Sequence, residues 1–245
     1  MQKGMLSITF RDRTPEQVIE LTKKTGLTAI EWGGDIHVPH GDVETAKRVG
    51  EMTREAGLTV AAYGSYYNCM PDESFDDVLN SAVALGAKVI RVWAGKQNFA
   101  DCTQEERARL YAVLSEAVEK SAKHGITVAT ELHIHTLTDT TNGLVEMLKN
   151  VPGLKTYWQQ SSYDLTVDDE CAVMEKLGEN IVNAHINYWV DGVQYPLSDI
   201  SDRLEKYVPA LEKYTAASAF MIEFVKDGKP EQFFADAETL VNAGK

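Results

Sequence analysis

Four polar side chains stand at the ends of four successive apolar segments in the second half of the chain. These side chains are Glu131, Gln159, His185 and Glu223. Two carboxylates, one imidazole and one amide oxygen suit a divalent cation such as Mn²⁺, Mg²⁺, Co²⁺ or Zn²⁺. Because burying an unpaired carboxylate costs several kcal/mol, this set predicts a cation or a proton-transfer role. The alternative is that each is separately ordinary: both glutamates pair with Arg91 or Lys226, and His185 is hydrogen-bonded in the core.

The segments that must position these residues alternate between two patterns, with a period of roughly 25 to 35 residues. Short apolar runs rich in β-branched residues predict strands. They span residues 5–10, 29–32, 59–63, 88–93, 127–131, 155–159, 181–186 and 219–225. Amphipathic stretches between them predict helices, and the first begins with Thr-Pro-Glu at 14–16, an N-cap followed by proline and an acidic residue. Gly26, Gly57, Gly86 and Gly125 follow the first four, where a left-handed residue often ends a helix.

Strands that alternate regularly with helices predict a parallel sheet, and eight such units can close into a (β/α)8 barrel. We therefore expect an α/β fold in which residues 1–245 form a single TIM-barrel domain. Its active site should lie at the C-terminal ends of the strands. A doubly wound open sheet is the alternative, but no Gly-x-Gly-x-x-Gly sequence follows the first strand.

Two histidines near the predicted strand ends are candidates for substrate binding. His133 shares the strand phase of Glu131, so it either contacts a substrate hydroxyl or supports the ligands from behind. His37 lies in a Gly-Gly-Asp-x-His-x-Pro turn after the second strand, and loops at this end of a barrel commonly carry function. We predict that His37 lines the substrate pocket.

Cationic and aromatic side chains at other strand ends complete the predicted pocket. Lys226 and Arg91 either neutralise a substrate oxygen or pair with a glutamate. Trp32 and Tyr63 offer apolar walls against which the C–H faces of a sugar can pack. These four residues are predicted to contact substrate.

The composition argues against several classes of protein. The formal net charge of −13 disfavours nucleic acid as a partner. The apolar run at the start is too short for a signal peptide, and nowhere do roughly 18 apolar residues run together as a membrane span requires. Three cysteines, far apart, do not suit a disulfide framework or a zinc knuckle. We expect a soluble cytoplasmic protein that binds neither nucleic acid nor membrane.

Six short motifs resemble the xylose isomerase-like TIM barrels, the superfamily of sugar phosphate isomerases and epimerases. They are Glu-Trp-Gly-Gly-Asp-Ile-His-Val-Pro at 31–39, Tyr-Gly-Ser-Tyr-Tyr at 63–67, Thr-Glu-Leu-His-Ile-His-Thr-Leu-Thr-Asp at 130–139, Tyr-Trp-Gln at 157–159, Asn-Ala-His at 183–185 and Ile-Glu-Phe-Val-Lys at 222–226. The resemblance runs essentially end to end and is stronger for the superfamily than for any one member. In that superfamily a metal is typically held by Glu, Asp, His and Glu from strands five to eight.

Carried over residue by residue, the resemblance implies one divalent metal ion held by Glu131, Gln159, His185 and Glu223. The two glutamates would also be the catalytic acid and base. Gln159 stands where the superfamily has Asp, so this shell carries a charge of about −2 where the usual one carries about −3. Ser162 stands where epimerases often have a substrate-contacting His.

The implied activity is that of a sugar isomerase or epimerase acting on a ketose or related keto-polyol. The metal would polarise the carbonyl while glutamates move the adjacent proton through an enediolate. One alternative is a dehydratase of a keto-inositol-like substrate, and another is a non-catalytic sugar-binding barrel with a weakened metal site. An apurinic endonuclease, which needs a larger cluster of ligands, is disfavoured. Homo-oligomers are common among the resembling enzymes.

Overall fold

Eight parallel strands close into a barrel in the computed structural model, which describes residues 1–160 and 165–245. The barrel strands are β1 (Gln2–Leu6), β2 (Ala29–Gly33), β3 (Thr59–Gly64), β4 (Val89–Arg91), β5 (Thr127–Glu131), β6 (Lys155–Trp158), β7 (Ile181–Ile186) and β10 (Ala219–Ile222). They follow one another around the barrel in chain order, and β10 closes it by pairing with β1. A short antiparallel hairpin, β8 (Trp189–Val190) and β9 (Val193–Gln194), lies in the connection after β7. The predicted (β/α)8 TIM barrel is confirmed.

A helix follows each barrel strand. The helices are α1 (Pro15–Lys23), α2 (Val43–Glu55), α3 (Phe75–Leu85), α4 (Gln104–Ala122), α5 (Thr141–Asn150), α6 (Val167–Leu177), α7 (Ser201–Tyr214) and α8 (Pro230–Asn242). The predicted start of α1 is confirmed, since the Thr14 side chain accepts a hydrogen bond from the backbone of Gln17 in a capping box. Gly86 ends α3 at a φ of 81°. Among the described residues, no helix combines the length and the apolar character that crossing a bilayer requires.

Four strands end earlier than the apolar pattern predicts: β4 and β6 by one or two residues, and β1 and β10 by three or four. β1 ends at Leu6, and residues 7–10 form a 3₁₀ turn, Ser7–Phe10. The Phe10 side chain there packs against the helix layer, with its ring centroid 5.3 Å from that of Phe233 in α8, whereas Ile8 faces the barrel interior. Likewise β10 ends at Ile222, so Glu223 begins the connection to α8. Apolar character here marks burial instead of sheet pairing.

Toward the N-terminal ends of the strands, the barrel interior is filled by apolar side chains. These are contributed by alternate residues of the strands, including Ala29, Val89, Ala129, Tyr157 and Met221. The residues between them face the larger apolar layer under the helices. Side chains alternate along a strand with a period of two. The next inward position toward the C-terminal end of each strand therefore lies two residues beyond the interior residue just named. Four of those positions carry a charged side chain and the fifth carries an amide: Glu31, Arg91, Glu131, Glu223 and Gln159.

Candidate active site

The alternation of the strands places four charged or titratable side chains in one layer at the top of the barrel. Glu31 follows Ala29 by two residues in β2, Arg91 ends β4, Glu131 ends β5 and His185 lies in β7. All four side chains are at most 1% exposed. An isolated buried charge is very costly, so this layer is stable only if its members compensate one another.

The four side chains form a closed ring of ion pairs, here called the ionic ring: Glu31, Arg91, Glu131 and His185. Arg91 Nε donates to Glu31 Oε1 at 3.0 Å, and Arg91 Nη1 lies 3.1 Å from Glu131 Oε2. His185 Nδ1 lies 3.3 Å from Glu131 Oε1, and His185 Nε2 lies 3.3 Å from Glu31 Oε2. Each carboxylate of the ring therefore contacts both basic groups.

The charges of the ring shift the pKa values of its members in opposite directions. Burial alone would raise the pKa of Glu131, but the positive charges of Arg91 and His185 outweigh it and lower that pKa to about 2. Burial alone would lower the pKa of His185, but Glu131 and Glu31 outweigh it and raise that pKa to about 10. In the chain alone, the ring favours ionised glutamates and a protonated imidazole.

Glu223 lies beside the ionic ring but has a different environment. Its backbone N–H donates to the carbonyl of Ile186 at 2.9 Å, which fixes the residue just beyond β10. Asn187 Nδ2 donates to Glu223 Oε2 at 3.1 Å. Burial and then the negative charge of Glu131 raise the pKa of Glu223. Folding therefore favours the protonated form of Glu223 and the ionised form of Glu131.

The side chains brought together here fit a divalent cation. One ligand atom from each of Glu131, His185 and Glu223 lies within 4.8 Å of the other two, and all three residues are buried. Glu131 Oε2 accepts no hydrogen bond from the described residues, although Arg91 lies at ion-pair distance. Gln159 Oε1 is also buried without a hydrogen bond from them. A cation would supply the partner that these oxygens lack.

Gln159 lies at the point predicted for a fourth ligand, just after β6. Its Nε2 donates to the carbonyl of Leu132 at 3.2 Å, which ties the side chain to the loop that follows Glu131 and leaves Oε1 as the free acceptor. Gln159 is also two residues beyond Tyr157, which faces the barrel interior. Ser162, the second departure from the superfamily pattern, lies outside the described residues.

A cavity of about 320 Å³ lies between the loops that follow β3, β4 and β5, and one predicted site residue, His133, lines it. Its other lining residues include Asn68, Trp93 and Lys96. The ring centroids of Trp93 and His133 are 4.5 Å apart. Nδ1 of His133 is 2.7 Å from the carbonyl oxygen of Ile134, so Nδ1 carries the proton and donates. His133 thus belongs to the wall of this cavity.

The two predicted cationic contacts have different surroundings. The guanidinium of Arg91 is enclosed: besides its two glutamates, it stacks over the rings of Trp93 and Tyr66 at 4.7 and 5.4 Å. Lys226 is partly exposed and lies over the ring of Tyr195 at 6.0 Å. Arg91 is therefore built into the ionic ring, whereas Lys226 stays at the rim of the barrel mouth.

Three residues predicted to line the pocket are not brought to the cluster. Trp32 faces the helix layer, where its Nε1 donates to Thr53 Oγ1 in α2 at 3.1 Å. The hydroxyl of Tyr63 donates to the carbonyl of Val38 at 2.7 Å. Both ring nitrogens of His37 are engaged, one with Ser7 Oγ and one with the carbonyl of Arg13. Each is held by the loops and helices around the barrel.

Sequence reasoning missed Glu31 as a member of the site. The signal was present, because a carboxylate in the middle of the apolar run Ala29–Gly33 has the same meaning as one at the end of Thr127–Glu131. It also missed the support that Tyr157 gives from below, with its ring centroid 4.9 Å from that of His185 in an edge-on arrangement. Tyr157 itself is fixed by Asn183, whose Nδ2 donates to the phenol oxygen at 3.0 Å.

Comparison with known proteins gives one family and several relatives. The model of the xylose isomerase-like TIM barrel family matches residues 19–161, more than half of the chain. A 3-dehydroshikimate dehydratase of Bacillus anthracis is 25% identical over 168 residues, and the match covers 63% of this chain and 60% of the dehydratase's own length. The fold is similar to the crystal structure of a probable 3-DHS dehydratase of Bacillus anthracis, with a TM-score of 0.80, 19% identity and 99% of both chains covered. It is also similar to a D-allulose 3-epimerase of Methylomonas sp., with a TM-score of 0.72, 12% identity and 98% and 96% covered.

Proposed function

This chain belongs to the xylose isomerase-like TIM barrel family, and from that premise we propose that it is a divalent-metal-dependent dehydratase. It would remove the proton next to the carbonyl of a small hydroxylated molecule and then expel a hydroxyl group as water. One observation supports this function above the others: in the chain without a cation, the pKa of Glu131 is lowered to about 2, whereas burial and the charge of Glu131 raise the pKa of Glu223.

Glu131, His185 and Glu223 would hold the cation, with Gln159 as a fourth donor. When bound, a divalent cation polarises a carbonyl oxygen and stabilises negative charge that develops on it. Mn²⁺, Mg²⁺, Co²⁺ and Zn²⁺ are all compatible with this mixture of oxygen and nitrogen donors.

Glu223 is the proton carrier in this proposal. A general base works best when its pKa lies near the working pH, and burial beside Glu131 moves Glu223 in that direction. Glu131 is a weak base because Arg91 stabilises its ionised form, and a bound cation would stabilise that form further. Two carboxylates whose pKa values are pushed apart indicate two different roles, so Glu131 is a fixed ligand and Glu223 moves the proton.

One proton carrier is enough for elimination. Glu223 takes the proton from the carbon next to the carbonyl, the C–H electron pair forms a carbon–carbon double bond, and the C–O bond to the neighbouring hydroxyl breaks. The departing hydroxyl needs a proton to leave as water. In this scheme Glu223 gives the departing hydroxyl the proton that it took from carbon, so water leaves and Glu223 ends the reaction ionised, as it began.

Isomerisation or epimerisation of a ketose is the second candidate. The observation in its favour is that Glu131 and Glu223 belong to one small cluster, since epimerisation needs two groups that exchange a proton with opposite faces of a carbon. The low pKa of Glu131 weighs against it.

The test is to incubate the purified protein in D₂O with each of the four cations, once with 3-dehydroshikimate and once with a panel of ketoses. Proton NMR then follows water elimination and deuterium incorporation next to the carbonyl. We expect elimination that requires a cation and is lost in Glu223→Gln. Deuterium exchange into a ketose without elimination would instead establish the isomerase or epimerase. No elimination and no exchange with any cation would contradict both.

The control variant is Asp236→Asn, which also neutralises a buried carboxylate but lies outside the site. Asp236 lies in α8 and accepts a hydrogen bond from the backbone of Leu197.

A further inference from the structure

We infer that Glu31 is a positioning residue that presents Nδ1 of His185 to the cation site by holding Nε2 of the same ring. The inference rests on the cation of the proposed function, but it concerns a residue that does not belong to the ligand cluster Glu131, His185 and Glu223. It assigns to β2 a role in a site whose ligands come from β5, β7 and the end of β10.

The two nitrogens of His185 are divided between two carboxylates. Nδ1 faces Glu131 Oε1, and Nε2 faces Glu31 Oε2, both at 3.3 Å. A histidine that binds a metal through one nitrogen usually donates its other N–H to a carboxylate or carbonyl, which fixes the tautomer and the ring orientation. Since Glu131 is a ligand, Nδ1 is the nitrogen that faces the cation, and Glu31 is the carboxylate behind the ring.

The contacts around Glu31 fix its side chain in this position. Its side chain is 1% exposed, and its second oxygen, Oε1, accepts from Arg91 Nε at 3.0 Å. The barrel also leaves space for it at Gly64 in β3: a Cβ atom there would lie 2.6 Å from Glu31 Oε1 and 3.0 Å from Arg91 Nη2. Below the imidazole, the edge-on ring of Tyr157 restrains its tilt.

A glutamine of the same shape cannot replace this carboxylate. Glu31 accepts from Arg91 on one oxygen and faces Nε2 of His185 with the other, and it also interacts with the Tyr157 hydroxyl. An amide has only one oxygen. Arg91 Nε always carries its proton, so the amide oxygen would turn to Arg91 and the NH₂ group would face Nε2 of His185. Nε2 must then be an acceptor, and its proton moves to Nδ1, which blocks the nitrogen that faces the cation.

This conflict between donors gives a specific test. Zn²⁺ is titrated against a competing chelator into the wild-type protein, Glu31→Gln, Asp236→Asn and the double variant Glu31→Gln/Arg91→Met. The second change in the double variant removes the guanidinium donor and one positive charge, so the amide oxygen is free to turn to Nε2. We expect Glu31→Gln to weaken zinc affinity by about 10- to 100-fold, the double variant to recover much of that loss, and Asp236→Asn to bind like the wild type.

A second measurement requires no variant to fold. In ¹⁵N-labelled wild-type protein loaded with Zn²⁺, the imidazole nitrogen shifts of His185 should show a proton on Nε2 and the metal on Nδ1. Metal on Nε2, or wild-type zinc affinity in Glu31→Gln, would overturn the inference while leaving the proposed function intact. A wild-type protein that binds no divalent cation would overturn the proposed function, and the role of Glu31 with it.

Discussion

Glu131 and Glu223 are the same residue type, buried in the same barrel mouth, yet the protein treats them oppositely. Glu131 lies between Arg91 and His185 and is stabilised as an anion, with a pKa lowered to about 2. Glu223 receives a hydrogen bond from the neutral amide of Asn187, and burial together with the charge of Glu131 raises its pKa. Arg91 and His185 both form ion pairs with Glu131, whereas on Glu223 their charges are outweighed by burial and by the charge of Glu131.

This difference shows how one fold can separate binding from proton transfer. The positive groups of the ionic ring stabilise the ionised forms of Glu131 and Glu31, so these two carboxylates are poor bases. Glu223 lies outside the ring, so its proton affinity stays closer to the range that general acid–base chemistry needs. The same substitution to glutamine should therefore have different consequences at Glu131 and at Glu223.

The largest expected effect is that of Glu223→Gln on activity. Glutamine keeps the shape and can still accept from Asn187, but it cannot take up a proton. We expect kcat, on the substrate that the NMR test identifies, to fall by about 10²- to 10⁴-fold. The free energy of unfolding of the chelator-treated protein at pH 7 should not fall, because folding disfavours the ionised form of Glu223. Steady-state kinetics and urea unfolding measure the two effects, and a variant that kept wild-type turnover would remove Glu223 from its role.

Glu131→Gln should mainly affect stability and cation binding. The change removes the anion between Arg91 and His185 and leaves part of the buried positive charge uncompensated. Breaking a buried ion pair by removing one partner costs about 3–5 kcal/mol, so urea unfolding of the chelator-treated variant should show a loss of this order. An equal stability for Glu131→Gln and Glu223→Gln would mean that the two environments do not differ as described.

The pH dependence of stability gives a third way to separate the ring from Glu223. Folding raises the pKa of His185 from its ordinary 6.5 to about 10, so its stabilising contribution is complete below about pH 6. That contribution is lost as the pH rises from about 6.5 through 10, because only the folded state keeps the proton there. Glu131 acts in the opposite direction: its contribution is present above about pH 4.5 and is lost as the pH falls toward 2.

Urea unfolding of the metal-free wild type and of His185→Gln between pH 6 and 10 tests the first part. The stability difference between the two proteins should shrink by a few kcal/mol over this range. Taking the difference removes the contribution of other groups that titrate there, such as Lys3, whose pKa burial lowers to about 8. A difference that stays constant with pH would show that His185 does not hold a proton in the ring.

Sequence reasoning predicted the barrel and the meeting of three polar side chains at its mouth because both depend on position along the strands. Eight strand and helix units with caps were visible in the pattern, and polar residues at consecutive strand ends must meet at the mouth of a parallel barrel. Glu131, His185 and Glu223 meet there. These three side chains come together if the strands run parallel and the side chains face inward.

The side to which each strand residue points could not be predicted in the same way. Barrel strands are buried on both faces, so their sequences lack the alternation of polar and apolar residues that reveals orientation. In Ala29–Gly33 every residue is buried, and Trp32 was predicted as a substrate wall. A carboxylate cannot face the apolar helix layer without cost, so Glu31 identifies the inward face, and its neighbour Trp32 must point outward.

Thr53→Val tests that assignment and has the smallest expected effect. Valine matches threonine in shape but removes the oxygen that accepts from Trp32 Nε1 at 3.1 Å in a buried position. Leaving a buried donor unpaired costs about 1–3 kcal/mol, which urea unfolding should detect, whereas kcat and KM should stay at wild-type values because the indole packs under α2. A changed KM with unchanged stability would place Trp32 at the substrate and would mean that the orientation of β2 is reversed relative to the ionic ring.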